Sequence, residues 1–371
     1  MRILMLSCNT GEGHNSTGNA VREVLESRGV ECEMIDVLGT CISPTFSKLI
    51  CNTHARLYKY APKLWDAGYR VSDRKQLEQD EADYKTLFEL LRHSAKRLEK
   101  LIQEGNFDLV LCVHMFSGVM MTVVRKRGIV NVPCYFVATD YTCSPLVDQC
   151  DADGYFIPAA DLAKEFIADG VDGSKLIPYG IPVRQAFYSR EPQAAARKAL
   201  GLPEEGMIVL LMCGSMGCGP IRKMAVKLAE KLEKDALVVA VCGKNQKLYE
   251  ELTAEELPSL RVLGYCTEIP RYMDAADMVV TKPGGLSSTE AAVKHVPMVF
   301  INAVGGCESR NFTYFLSHGY ALGSDESREV AELVVDLANC PDHMGRMRQI
   351  LEKDFCVNGA VLIADRLMGL E

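Results

Sequence analysis

The chain has 371 residues, of which 48% are hydrophobic and 24% charged. At about 150 residues per domain this is material for two folded domains, and it excludes a disordered chain. Lys and Arg number 41 against 49 Asp and Glu, a net charge of −8 that excludes whole-molecule attraction to nucleic acid. No apolar run approaches the roughly 18–20 residues of a membrane-spanning helix, and no signal-peptide pattern opens the sequence. The fifteen cysteines include no C-x-x-C pair. Their odd number and spacing argue against a disulfide scaffold and a zinc knuckle, and point to reduced thiols in a cytosolic enzyme.

Short apolar runs alternate with amphipathic stretches, the pattern of a parallel α/β protein. Strands are expected at Arg2–Cys8, Glu31–Val37, Leu109–His114, Cys134–Ala138 and Gly154–Ile157. A second series follows at Met207–Cys213, Ala236–Cys242, Arg261–Gly264, Met278–Thr281 and Met298–Ile301. Helices are expected between them, at Asn15–Arg28, Glu81–Glu104, Arg222–Lys234 and Ser287–Lys294 among others. A glycine-rich loop follows the first strand of each series, so the chain reads as two Rossmann-like halves. The segment Pro178–Glu205, punctuated by Pro and Gly at both ends around a short helix Ala194–Leu200, is the expected boundary.

The first loop, Ser7-Cys-Asn-Thr-Gly-Glu-Gly-His14, turns from strand into helix. Its glycines allow backbone N–H groups to approach a ligand at a helix N-terminus, and the imidazole of His14 can take up a proton near neutral pH. A plain turn with an exposed histidine explains the same residues. Gly11-x-Gly13 with Ser16 in the third glycine position and Asp36 ending the next strand is a weakened dinucleotide fingerprint, which makes an NAD-dependent oxidoreductase the alternative. The second loop, Cys213-Gly-Ser-Met-Gly-Cys-Gly-Pro220, lacks the Gly-Lys-Ser/Thr of a P-loop, yet its backbone can cradle a phosphate.

Asp277-Met-Val-Val-Thr-Lys-Pro-Gly-Gly-Leu-Ser-Ser-Thr-Glu290 reads as a buried strand, a Pro-Gly-Gly turn and a helix start. Glu290, placed on the first turn, either accepts the hydroxyls of a ribose or closes a capping box with Ser287. Gly305-Gly-Cys-Glu-Ser-Arg-Asn311 sets a Gly-Gly turn on another helix N-terminus, suited to a diphosphate or a sugar. Asp151-Ala-Asp153 imitates a D-x-D metal motif but is read as the turn before a strand, and no other grouping has the spacing of a metal site. Residues 41–76 carry seven basic and two acidic side chains, an excess of five in an acidic protein, together with Trp65, the single tryptophan.

Taken together, Thr10-Gly-Glu-Gly-His14, Ala138-Thr-Asp-Tyr141, Gly180-Ile-Pro-Val183, Val241-Cys-Gly-Lys-Asn245 and Thr281-Lys-Pro-Gly-Gly285 resemble the monogalactosyldiacylglycerol synthases and processive diacylglycerol glucosyltransferases. That family is related to the transferase that adds N-acetylglucosamine to the peptidoglycan lipid intermediate. The resemblance implies a GT-B fold, two Rossmann-like domains facing across a cleft. It implies an acceptor and membrane-docking domain over 1–182 and a UDP-sugar-binding domain over 183–371, with the last helix returning to the first domain.

Residue by residue, the resemblance makes Glu290 the ribose-binding acid, with Gly284 and Gly285 in the adjacent turn. Gly214 and Gly217 lie by the nucleotide phosphates, and Gly306, Glu308 and Asn311 by the diphosphate and donor sugar. His14 becomes the base that meets the acceptor, with Glu12 and Asp140 as alternates. Glu12 stands where many relatives have Gly, and Cys307 where many have Gln, so a non-catalytic UDP-sugar-binding protein is a further alternative. The implied reaction is a metal-independent inverting transfer from UDP-glucose or UDP-galactose to a diacylglycerol-type lipid, with no cofactor beyond the donor itself. The basic segment, with Lys59, Lys63 and Trp65, then serves docking on an anionic surface, the inner face of the cell membrane.

Overall fold

The computed structural model describes residues 1–9, 12–60, 94–217, 219–233, 235–301 and 305–370, with backbone alone at 52, 54–60 and 327. The chain divides into two compact units, one formed by Met1–Gln185, Val304–Cys307 and Asn358–Glu371, the other by Ala186–Ala303 and Glu308–Val357.

The first unit is built on a parallel sheet of β1 Arg2–Ser7, β2 Glu31–Asp36, β3 Leu109–Cys112, β4 Cys134–Val137, β5 Gly154–Phe156 and β6 Leu176–Ile177, in the order β2-β1-β3-β4-β5-β6. β1, β3 and β5 are buried along nearly their whole length. This explains their continuous apolar runs, since helices cover both faces of a parallel sheet. Ile3, Met5, Leu109 and Leu111 point to one side and meet Ala20, Val21, Val24 and Leu25 of helix α1, Glu12–Ser27. The C-terminal helix Gly359–Met368 adds Ala360, Ile363, Ala364 and Leu367 to the same cluster. Asn358 caps it by accepting from Val361 N at 3.2 Å. Helix α2 spans Pro44–Tyr60 and α3 spans Met115–Lys126.

The second unit carries β7 Ile208–Met212, β8 Leu237–Val241, β9 Leu260–Leu263, β10 Met278–Thr281, β11 Met298–Ile301 and β12 Ala321–Ser324. These form a parallel sheet in the order β12-β11-β10-β7-β8-β9. Counted from its own first strand, this is the 3-2-1-4-5-6 order of a Rossmann sheet. The helices used below are α4 Gln193–Ala199, α5 Ile221–Lys231, α6 Gln246–Thr253, α7 Ile269–Ala275, α8 Gly285–Val293 and α9 Cys307–Ser317. Arg197 on α4, 4% exposed, donates to the carbonyls of Ala275, Glu204 and Gly206 and to Asp277 Oδ2 at 2.8 Å. Asp277 Oδ2 also accepts from Ile208 N at 2.7 Å, so one ion pair ties the entry segment to the starts of β7 and β10.

Two strands lie outside the sequence expectation. β6 is only two residues long, and β12 is half-exposed with Gly323 pressed against Phe300 and Phe312. Neither has the apolar run that marks a buried strand. The expected helix Glu81–Glu104 falls within the described residues only from 94, where the backbone is helical to 105. None of the described cysteines is in a disulfide, and burial pushes the thiols of Cys32, Cys41 and Cys242 up to about 11.

α8 ends in a Schellman turn: His295 N donates to Ala292 O at 2.9 Å and Val296 N to Ala291 O at 3.0 Å. His295 takes the left-handed position, φ 56°, that glycine usually fills. Its Nε2 meets the Arg190 guanidinium. Burial, then the Arg190 charge, lower its pKa to about 4. The unfolded ring, near pH 6.5, binds its proton first, so folding stability is present above that pH and is lost as pH falls toward 4. After discounting for solvent around a half-buried ring, the expected loss is about 1–2 kcal/mol. Urea midpoints at pH 7 and pH 4.5 check this, and His295→Asn, which tolerates the left-handed turn, is expected to shrink the difference.

Candidate active site

In an open parallel sheet, ligands bind beyond the carboxyl ends of the strands, where the strand order reverses. In the first sheet that point lies between β1 and β3, and both following segments carry histidine. α1 begins at Glu12, three residues before the expected Asn15, so His14 sits within its first turn. The acidic Glu12 suits that position at the positive end of the helix. Asn9, in the loop after β1, is held by a relay in which Ser7 Oγ donates to Asn15 Oδ1 at 2.6 Å, Asn15 Nδ2 to Asn9 Oδ1 at 2.9 Å and Asn9 Nδ2 to Asp36 Oδ2 at 3.1 Å. Ser47 Oγ donates to the same Asp36 oxygen at 2.6 Å. The carboxylate proposed for an NAD ribose is thus engaged with the loop and with α2.

His14 is half-buried, with Nδ1 2.9 Å from the carbonyl of Val113 and 3.1 Å from Thr139 Oγ1. A carbonyl only accepts, so the hydrogen of the neutral ring lies on Nδ1 and the lone pair on Nε2. His114 lies edge-on to His14, ring centroids 4.5 Å apart at 68°. It is 4% exposed, and its Nδ1 accepts from Phe116 N at 3.1 Å to cap α3. Sequence reasoning passed over His114, and its signal was its place after the strand that neighbours β1. Asp140 follows Thr139 and is half-buried, and Glu12 is exposed at the helix start.

The second sheet reverses between β7 and β10. After β7 the backbone takes positive φ at Gly214 (69°), Gly217 (55°) and Gly219 (123°). At Gly217 a Cβ would lie 2.1 Å from the carbonyl oxygen of Cys242, so glycine alone fits. The loop after β8 locks against it: Lys244 N donates to Ser215 O at 2.8 Å and Asn245 Nδ2 to Gly217 O at 2.9 Å. The Val241–Asn245 motif therefore shapes the glycine loop from behind.

After β10, Gly284 is the N-cap and Gly285 the first residue of α8. Ser287 is thus inside the helix and Glu290 is its sixth residue, on the second turn. The capping box does not form, because both glycines after Pro283 enter the helix start instead of making a separate turn. Glu290 is 8% exposed. Gly306 has positive φ (60°) just before α9, on which Glu308 is half-buried and Asn311 fully buried. Asn311 Nδ2 donates to Pro283 O at 3.0 Å, coupling the start of α9 to the turn after β10. Lys282, overlooked in the sequence, is 7% exposed at the end of β10.

Asp153 accepts from Cys134 N at 2.8 Å and from Arg125 at 2.9 Å, an anchor for β4. Lys63 and Trp65 lie outside the described residues, and Lys59 is in α2 with its backbone alone described. Exposed Lys48 and Leu49, the latter 61% exposed, stand on the described part of α2. No helix among the described residues is long and apolar enough to cross a membrane.

Residues 14–183 match the family model of monogalactosyldiacylglycerol (MGDG) synthase, and residues 208–345 that of the glycosyltransferase family 28 C-terminal domain. The processive diacylglycerol beta-glucosyltransferase of Bacillus subtilis (strain 168) is 26% identical over 373 residues, covering 99% of this chain and 94% of that protein. Monogalactosyldiacylglycerol synthase 1 of Arabidopsis thaliana, chloroplastic, is 28% identical over 354 residues, 90% of this chain and 64% of that protein. Among solved structures, Acinetobacter baumannii MurG superposes with a TM-score of 0.64 at 15% identity, covering 99% of both chains. Anabaena Alr3699/HepE in complex with UDP-glucose gives 0.53 at 16% identity, covering 99% of this chain and 95% of that one. The two sheets have the GT-B fold, and the chain is a glycosyltransferase whose first half matches the monogalactosyldiacylglycerol synthase model and whose second half matches the glycosyltransferase family 28 C-terminal model.

Proposed function

We propose that this glycosyltransferase moves a hexose from UDP-glucose or UDP-galactose to a diacylglycerol-type lipid at an anionic membrane surface, the inner face of the cell membrane. In this reading residues 1–182 receive the acceptor and residues 183–371 the donor. The reaction is a single inverting displacement. His14 Nε2 takes the proton of the acceptor hydroxyl, and that oxygen bonds to the anomeric carbon from the face opposite UDP. The bond from the anomeric carbon to the phosphate oxygen breaks, and UDP leaves with the electron pair. The glycine loop after β7 and the N-terminal turn of α9 receive the diphosphate charge, so that no step calls on a metal. Glu290 holds the ribose, and Glu308 and Asn311 orient the sugar.

The observation that carries this reading is the relationship of both halves of the chain to glycosyltransferase families, one half to each. Support for the base comes from the tautomer that Val113 imposes on His14. Support for docking comes from exposed Lys48 and Leu49, adjacent on α2. Each Lys or Arg near anionic lipid contributes about 1 kcal/mol at low salt.

The test is glycolipid formation from diacylglycerol in vesicles with and without phosphatidylglycerol, with each UDP-hexose as donor. One donor is expected to support transfer, faster on the anionic vesicles. Transfer from neither donor would overturn the enzymatic reading, and equal rates on both vesicles would overturn anionic docking.

A further inference from the structure

The reversal point of the second sheet holds a lysine that stands in the Thr281–Gly285 motif without a role of its own. Lys282 follows Thr281, the last residue of the central strand β10, beside the glycine loop that follows β7. The residue is 7% exposed, far from the usual place of a lysine. The stem runs over Gly219, where an added Cβ would lie 3.0 Å from Lys282 Cε, the carbon that bears the ammonium. Gly219 also has φ 123°, so its backbone and its lack of a side chain both make room for this stem. Thr281 is 1% exposed, and its hydroxyl has no hydrogen-bond partner among the described residues. Lys282 therefore packs against a glycine turn at the position where an open α/β sheet takes its ligand.

We infer that Lys282 binds the diphosphate of the nucleotide and stabilises it as a leaving group. The inference rests on the donor reading above. A lysine acts as a strongly hydrated point charge, and from a partly enclosed site it neutralises the charge that grows on the departing phosphate oxygen. The positive helix ends at α8 and α9 contribute only partial charges, whereas an ammonium carries a full one.

Calorimetry with UDP and with uridine tests the assignment, because only UDP carries the diphosphate. In the Lys282→Met protein, UDP affinity is expected to fall about 10- to 100-fold while uridine affinity stays within about twofold. Lys282→Arg is expected to retain most of the UDP affinity. Equal losses for UDP and uridine would make Lys282 a structural residue, and an unchanged UDP affinity would remove it from the site. Both outcomes overturn the assignment while leaving the donor reading intact. Wild-type protein that binds neither ligand would instead overturn the donor reading, and this inference with it. Should Lys282→Met fail to fold, Lys282→Gln supplies the same ratio.

Discussion

His14→Ala is expected to lower kcat for hexose transfer by about 10²- to 10⁴-fold with little change in KM for the UDP-sugar. A base acts on the acceptor proton in the transition state, so its removal affects the chemical step rather than donor binding. The orientation of the ring is set before substrate arrives. Val113 O and Thr139 Oγ1 hold Nδ1, and the edge-on ring of His114 packs against it. Glu12 is exposed at the helix start, where a carboxylate already compensates the helix dipole. Glu12→Gln is therefore expected to keep kcat within a few-fold of wild type. Initial rates at saturating donor measure both variants. Near-normal transfer by His14→Ala would exclude His14 as the base.

The largest stability effect is expected at Lys294, which caps the C-terminal end of α8. Its Nζ lies 2.6 Å from Asp274 Oδ2 on α7, with the two side chains 1% and 6% exposed. The same ammonium donates to the carbonyl of Ser189. Burial pulls the Lys294 pKa down, and the hydrogen bond and charge of Asp274 push it back up. Removing one partner leaves the other charge buried and uncompensated, so Lys294→Met is expected to cost about 3–5 kcal/mol. Replacing both, as Lys294→Met with Asp274→Leu, is expected to recover most of that loss. Urea unfolding of the two single variants and the double variant completes the cycle. A loss below about 1 kcal/mol for Lys294→Met would show that the pair is not a buried charge system.

Much of the architecture was legible in the sequence because a parallel sheet covered on both faces writes itself as uninterrupted apolar runs. Val209, Leu210 and Leu211, like Met278, Val279 and Val280, are wholly buried, and no other placement suits such residues. The glycine loops were legible for a related reason. Gly217 and Gly219 take backbone angles that glycine adopts readily, and the loop gathers several such residues within one turn. β12 was not legible, since its half-exposed residues alternate with no clear period. The helix start at Gly284–Gly285 was not legible, because Ser287 and Glu290 have the spacing of a capping box wherever the helix begins.

Composition, periodicity and motif order by themselves determined a two-part parallel α/β chain and its resemblance to a glycosyltransferase family. They also nominated glycine loops, acids and a histidine for the chemistry. Only the tertiary structure decided which partners those residues meet. Val113 assigns the His14 hydrogen to Nδ1 across 99 residues of sequence, and His114 reaches the same corner through the pairing of β3 with β1. Lys282 packs against Gly219 because β10 returns to lie beside β7. Strand order is set by long-range burial, whereas motif and period report only local preference. The partners of a titratable group therefore remain hidden until the sheet is assembled.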